Sequence, residues 1–148
     1  MAFGVLVFAW AVTGCGAAHE ASTEPVRVEL GIGADEFIPL VDGQQVNVIG
    51  TPQLGGFRIV SAIRVYTKNG ETADVALSAR LKDTEEPVNE PATLTIDLAP
   101  VEPGIWEKAS LATFIPEPAR VHGQDLIMRA DVTVNDVSAS DEKLVIPE

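Results

Sequence analysis

From Val26 onward the chain repeats apolar residues every second position. Phe57, Ile59, Ser61, Ile63 and Val65 share one face of a segment whose other face carries Arg58 and Arg64. Val75, Leu77, Ala79 and Leu81 alternate with Ala76, Ser78, Arg80 and Lys82, and Leu94, Ile96 and Leu98 alternate with Thr93, Thr95 and Asp97. Leu126, Met128, Ala130, Val132 and Val134 alternate with Ile127, Arg129, Asp131, Thr133 and Asn135. A strand turns successive side chains to opposite faces, so this pattern predicts half-buried antiparallel strands with one face in a core and one in water. Shorter strands are expected at Val26–Leu30, Gln45–Ile49, Ser110–Ile115 and Lys143–Ile146.

Turn signals separate these runs: Asp42-Gly43, Gly55-Gly56, Asn69-Gly70, Glu86-Pro87, Pro103-Gly104 and His122-Gly123. Pro87, Pro91, Pro100, Pro103, Pro116 and Pro118 suit loops and sheet edges, because proline cannot donate to a ladder. No segment carries a sustained apolar stripe at helical spacing. The expectation is an all-β fold: a two-sheet antiparallel sandwich of about seven to nine strands over residues 26–148, with a closed barrel as its competitor. The region resembles the immunoglobulin-like and fibronectin III-like modules of bacterial surface proteins. It lacks the cysteine pair of true immunoglobulin domains, and Trp106, expected to lie between strands, can plug the core without holding the mid-strand place of the immunoglobulin tryptophan.

The first residues follow a different pattern. Phe3, Val5, Leu6, Val7, Phe8, Ala9 and Trp10 form an apolar run, and residues 1–14 hold no charged side chain. As a helix they would span roughly 20 Å, short of a bilayer core of about 30 Å, so the run reads as a signal peptide rather than a membrane span. It stops at Val12-Thr13-Gly14-Cys15, which contains the only cysteine of the chain. These four residues resemble a bacterial lipobox. That resemblance implies a diacylglyceryl group on the Cys15 sulfur and cleavage just before it. It also implies a lipid-anchored protein of the bacterial cell envelope, and the absence of aspartate at position 16 favours the outer membrane over the inner. The leader departs from the pattern in having no Lys or Arg before its apolar core, which points to a start upstream of Met1. Residues 15–25 are small, polar and aperiodic, and read as a flexible tether in which His19 is solvated.

Charge narrows the partners. Ten basic residues against 22 acidic ones give a net charge of −12, which disfavours nucleic acid as a partner. The membrane is then reached through the lipid anchor, with an envelope protein or extracellular ligand as the other partner class.

Little in the sequence suggests catalysis or a cofactor. Gly31-Ile32-Gly33 follows a strand, but position 36 is Glu and no helix pattern comes next, so it is a turn or bulge rather than a dinucleotide loop. Outside the tether the only histidine is His122, beside Gly123 in an expected turn. No serine lies in a nucleophile-elbow pattern, and His122 with Asp125 offers at most two ligands to a transition metal. Asp131, Asp136, Asp141 and Glu142 are the weak candidates for calcium, which takes six to eight oxygens. The simpler reading makes Asp136 to Ser140 a polar hairpin turn. Arg58, Arg64 and Tyr66 form a candidate binding patch on an exposed sheet face, although the simpler reading is a set of cross-strand ion pairs. The expected function is therefore a non-catalytic, lipid-anchored binding or accessory protein. A calcium-dependent or carbohydrate-binding adhesion module is the alternative.

Overall fold

A computed structural model describes residues 25–53 and 55–148. The leader, Cys15 and nearly all of the tether therefore lie outside the described residues. Eleven strands follow in order: β1 (Arg27–Ile32), β2 (Ile38–Pro39), β3 (Gln44–Val46), β4 (Val48–Thr51), β5 (Gly56–Tyr66), β6 (Thr72–Leu81), β7 (Thr93–Asp97), β8 (Ala99–Glu102), β9 (Ile105–Ile115), β10 (Leu126–Val134) and β11 (Val137–Pro147). The only helical piece among the described residues is one 3-10 turn, Pro118–Arg120.

The strands form two separate sheets, a sandwich and not a closed barrel. The first runs β2-β1-β5-β9-β8, with β4 also on β5, and the second runs β3-β11-β10-β6-β7. The alternating apolar residues meet between them. Leu30, Ile59, Ile63, Val65 and Ile115 from the first sheet and Leu126, Met128, Val132, Val134 and Val145 from the second are fully buried. Ser61 and Thr113 are polar residues on this inner face. They bond to each other at 3.0 Å, which removes the cost of burying two unpaired hydroxyls.

Several expectations need correction. The described residues form eleven strands rather than seven to nine, because three regions divide more finely than their hydropathy. Gln45–Ile49 is two strands: the chain pairs with β11 through β3, then passes at Asn47 to β5 through β4. The β3–β11 pair is parallel, so the sandwich is not wholly antiparallel. Very short β2 and the proline-containing β8 add the remainder.

Two strands are longer than predicted. β9 starts at Ile105, five residues before the expected Ser110, so Trp106 is inside a strand and not between strands. Its ring packs against the core, its Nε1–H donates to the Thr67 carbonyl at 3.0 Å, and it lies where a Cβ on Gly70 would come within 2.7 Å. The alternation fails across β9 because a bulge interrupts it. Ser61 faces Leu111 but Ile63 faces Lys108, so β9 carries one residue more than β5, and Ser110 takes a left-handed φ of 58°. β11 starts at Val137. The turn before it is the two residues Asn135 and Asp136, with φ of 49° and 66°, rather than Asp136 to Ser140. Positive φ at both central residues gives the twist that joins antiparallel strands directly, and Asn and Asp tolerate it.

Candidate functional site

The outer face of β5 was expected to be open. It is partly covered. Gly33, at the end of β1, accepts a bond from the Ser110 N–H at 2.9 Å, so the β1–β2 connection reaches over β5 to the bulge of β9. Phe37 in that connection is buried, and Ala62 beneath is wholly so. Gly31 sits under the Phe37 ring, where a Cβ would clash with the ring and with the Ile38 carbonyl.

The candidate patch is divided by this arrangement. Arg64 lies 4.5 Å over the Phe37 ring and donates through Nε to Glu107 at 2.7 Å. Tyr66 donates its hydroxyl to Glu29 at 2.9 Å, with the Arg27 guanidinium 3.7 Å over its ring. Both residues thus serve cross-strand contacts within the first sheet. Arg58 is exposed toward the other end of β5, six positions or roughly 20 Å from Arg64. The three do not converge on one surface.

The four carboxylates near the last hairpin are also separated. Glu142 faces outward, where Arg80 holds it by two bonds of 2.8 and 3.1 Å and Arg129 adds a third at 3.1 Å. These hydrogen bonds, from Arg80 first and Arg129 second, hold its carboxyl down at about 2. Asp131 shares Arg129 at 2.8 Å. Asp141 lies opposite Ala130, a core position, and therefore points the other way, between the sheets. It accepts the Leu30 N–H at 2.8 Å and pairs with Lys143 at 3.1 Å. Asp136 is exposed in the hairpin turn. No group of three or more His, Cys, Asp or Glu side chains placed to hold a metal occurs among the described residues. His122 is exposed in the turn after the 3-10 segment, with Gly123 at a φ of 69° as its glycine signal suggested.

A concave surface lies elsewhere, on a side of the sandwich that the sequence did not single out. Between β9 and β7 the sheets part around a groove of about 700 Å³. Its apolar wall is Val75, Leu77, Val88, Leu94, Ile96 and Leu111. On β6 and β7 these residues keep the inward phase of the core: Leu94 pairs with buried Val75 and Ile96 with buried Ala73. Leu77 and Ile96 are only partly buried against the core, and Leu94 is 59% exposed.

Two features keep the groove open. β8 pairs with β9 only over Ile105 to Glu107, so among the described residues nothing pairs with Leu111–Ile115 on the side away from β5. On the facing sheet, β7 pairs with β6 only over Thr72 to Ala76. Beyond it the segment Glu86–Asn89 runs along β6 instead, with Val88 N–H donating to Ala79 at 3.0 Å and the Asn89 side chain bonding both Ala79 N–H and the Leu77 carbonyl. Pro87, Val88 and Asn89 of that segment line the groove, and Glu90, Glu117 and Arg120 are its charged lining residues. Arg120 is paired with Glu86 at 2.8 Å. The site offers apolar surface, a free strand edge and an acidic rim. It offers no nucleophile beside a base.

No protein-family model and no curated protein matches the chain significantly. Among solved structures it is similar to Parabacteroides merdae β-glucuronidase, at 14% identity and a TM-score of 0.43, over 80% of this chain and 13% of the enzyme. It is also similar to the CooA pilin subunit of enterotoxigenic Escherichia coli, at 12% identity and a TM-score of 0.42, over 80% of this chain and 95% of the pilin. The chain thus spans a small fraction of the glucuronidase and nearly the whole pilin subunit.

Proposed function

We propose that this chain is a non-catalytic protein of the bacterial cell envelope, anchored by lipid at Cys15, whose sandwich presents a binding or accessory surface. The observation that carries the binding role is the open side of the sandwich. Core-phase side chains around Leu94 are left partly uncovered in a groove with a free strand edge. Contiguous apolar surface of this kind is costly to expose and typically marks an interaction site. The anchor rests on the Val12-Thr13-Gly14-Cys15 motif and on the apolar run before it. Two acyl chains suffice for stable membrane attachment, at about 0.8 kcal/mol for each buried methylene. The aperiodic residues 16–25 would then let an acidic domain stand off the lipid surface.

The test compares wild type with Cys15→Ser in a bacterial host. Wild type should partition with outer membranes and incorporate labelled palmitate, and the variant should do neither. Crosslinking from intact envelopes should then recover a protein partner with wild type. Soluble, unlabelled wild type would overturn the anchor. The adhesion alternative has its own discriminator. Millimolar calcium should leave the melting temperature unchanged, because Asp131, Asp141 and Glu142 already have cationic partners. A rise of several degrees that Asp136→Asn abolishes would favour calcium-dependent adhesion instead.

A further inference from the structure

We infer that the groove between β9 and β7 binds an extended basic-apolar segment of a partner protein, which adds as a strand to Leu111–Ile115. Three observations converge on this occupant. The first is the edge. Leu111, Ala112, Thr113, Phe114 and Ile115 carry no charge, and a strand edge leaves alternate N–H and C=O groups without ladder partners. Five residues give roughly 17 Å of template, the length of an ordinary strand. The bulge at Ser110 closes this template at one end and Pro116 closes it at the other.

The second is the partly uncovered wall. A strand laid beside β9 would extend the first sheet over the inward-phase residues of β6 and β7. Every second side chain of that strand would point down onto Leu77, Leu94 and Ile96, completing the layer that the sandwich leaves unfinished on this side. Main-chain bonds would then supply affinity and the apolar side chains specificity, as in strand addition generally.

The third is charge, which identifies the partner's other face. Glu90 and Glu117 at the rim outnumber Arg120, whose charge is already met by Glu86. The whole chain carries a net charge of −12. A second copy of this acidic chain would meet like charge at the rim. A segment alternating apolar residues with Lys or Arg would meet opposite charge, and such complementarity sets both the choice of partner and the rate of encounter. The partner chemistry is therefore an extended peptide with apolar residues on one side and basic residues on the other.

The probes are short synthetic peptides, one alternating valine with lysine and one alternating valine with glutamate. Each is added to the full chain and followed by titration and by amide hydrogen exchange. The valine–lysine peptide should bind at least about tenfold more tightly than its glutamate counterpart, and should slow exchange across Leu111–Ile115. Leu94→Lys should abolish binding, and Glu90→Lys with Glu117→Lys should weaken it. All three positions are exposed, so the variants should fold, as a wild-type melting temperature would verify. Equal binding of the two peptides, or binding that Leu94→Lys leaves intact, would overturn the proposal. So would Leu111–Ile115 amides that are already slow throughout in the free chain, because the groove would then be filled from within. A concentration-dependent dimer showing the same protection would assign the groove to a second copy and overturn it equally. Lipid labelling at Cys15 does not enter any of these outcomes, so failure here leaves the anchor standing, and loss of the anchor leaves the groove standing.

Discussion

β11 and β9 are both partly unpaired strands at the margins of their sheets, yet the sandwich treats them in opposite ways. Over Val137 to Leu144, β11 has β10 on one side and no full strand on the other. Its inward positions there include Asp141 and Lys143, an ion pair placed where core residues would otherwise stand. Asp141 accepts the Leu30 N–H from the opposite sheet, and Asp42 accepts the Leu144 N–H at 2.9 Å. Inward-pointing charge is a known way of making an edge unfit for pairing with another chain. On β9 the same device appears only at Lys108, before the bulge. From Leu111 to Ile115 the edge is uncharged and faces an apolar hollow. One side of the molecule is closed and protected, and the other is left available.

The sharpest separation of the two sides should come from truncating matched leucines. Leu30→Ala removes a wholly buried side chain beneath the closed side and should cost about 2–5 kcal/mol in denaturant unfolding. Leu94→Ala on the open side should change stability by less than about 0.5 kcal/mol, since most of its surface is already in water. A large loss at Leu94 would mean that the groove is part of the packed core.

A smaller effect is expected from the clamp. Asp141→Ala leaves the Leu30 N–H and the Lys143 ammonium without their partner, and should cost about 1–3 kcal/mol. Glu117→Ala at the groove rim should be neutral within about 0.5 kcal/mol. Equal effects would remove the distinction between a braced and an unbraced side.

The smallest effect concerns pH and the outer face behind the closed side. Glu142 is bound by Arg80 and Arg129, and its carboxyl is lowered to about 2. Its folded value therefore lies below its unfolded value of about 4.3. The stabilisation is full above that unfolded value and is lost as pH falls toward 2. Because Glu142 is partly exposed, solvent screens the effect and it should be modest. Melting curves should show wild type losing stability between about pH 4.3 and 2 more steeply than Glu142→Gln. Parallel acid limbs would mean that these bonds contribute nothing measurable.

Much of this architecture was legible in the alternation alone. The inward sets of β5, β6 and β10 were read correctly because each is regular and long, and each has one face against the opposite sheet. The misses share a cause: in each, the period of two is broken or shared between partners. At β9 the bulge shifts the phase, so Trp106 and Lys108 lie inward before it and Leu111, Thr113 and Ile115 after it. At Asn47 one apolar stretch serves two sheets in turn. In β11 small and charged residues, Ser138, Ala139, Ser140 and Asp141, look like a turn although they form a strand. The two-residue β2 is too short to show a period.

The groove was illegible for a different reason. Whether Leu111–Ile115 is an edge depends on which strand lies beside it, and local pattern carries no information about that. The one available signal was the uncharged run Leu111 to Pro116. The patch of Arg58, Arg64 and Tyr66 failed to converge because the β1–β2 connection, with Phe37 beneath Arg64, crosses a face that the sequence presents as bare.

The contrast between the two sides is tested most directly by native-state hydrogen exchange on the full chain, without added peptide. Amides of β1, β10 and the Leu144–Ile146 end of β11, which lie in the braced side and the centre, should be among the slowest. Alternate amides across Leu111–Ile115 and those on the outer edge of β7 should exchange orders of magnitude faster, because they open without unfolding the domain. Uniform protection on both sides, with no fast set on β9, would contradict an open edge and the binding role built on it.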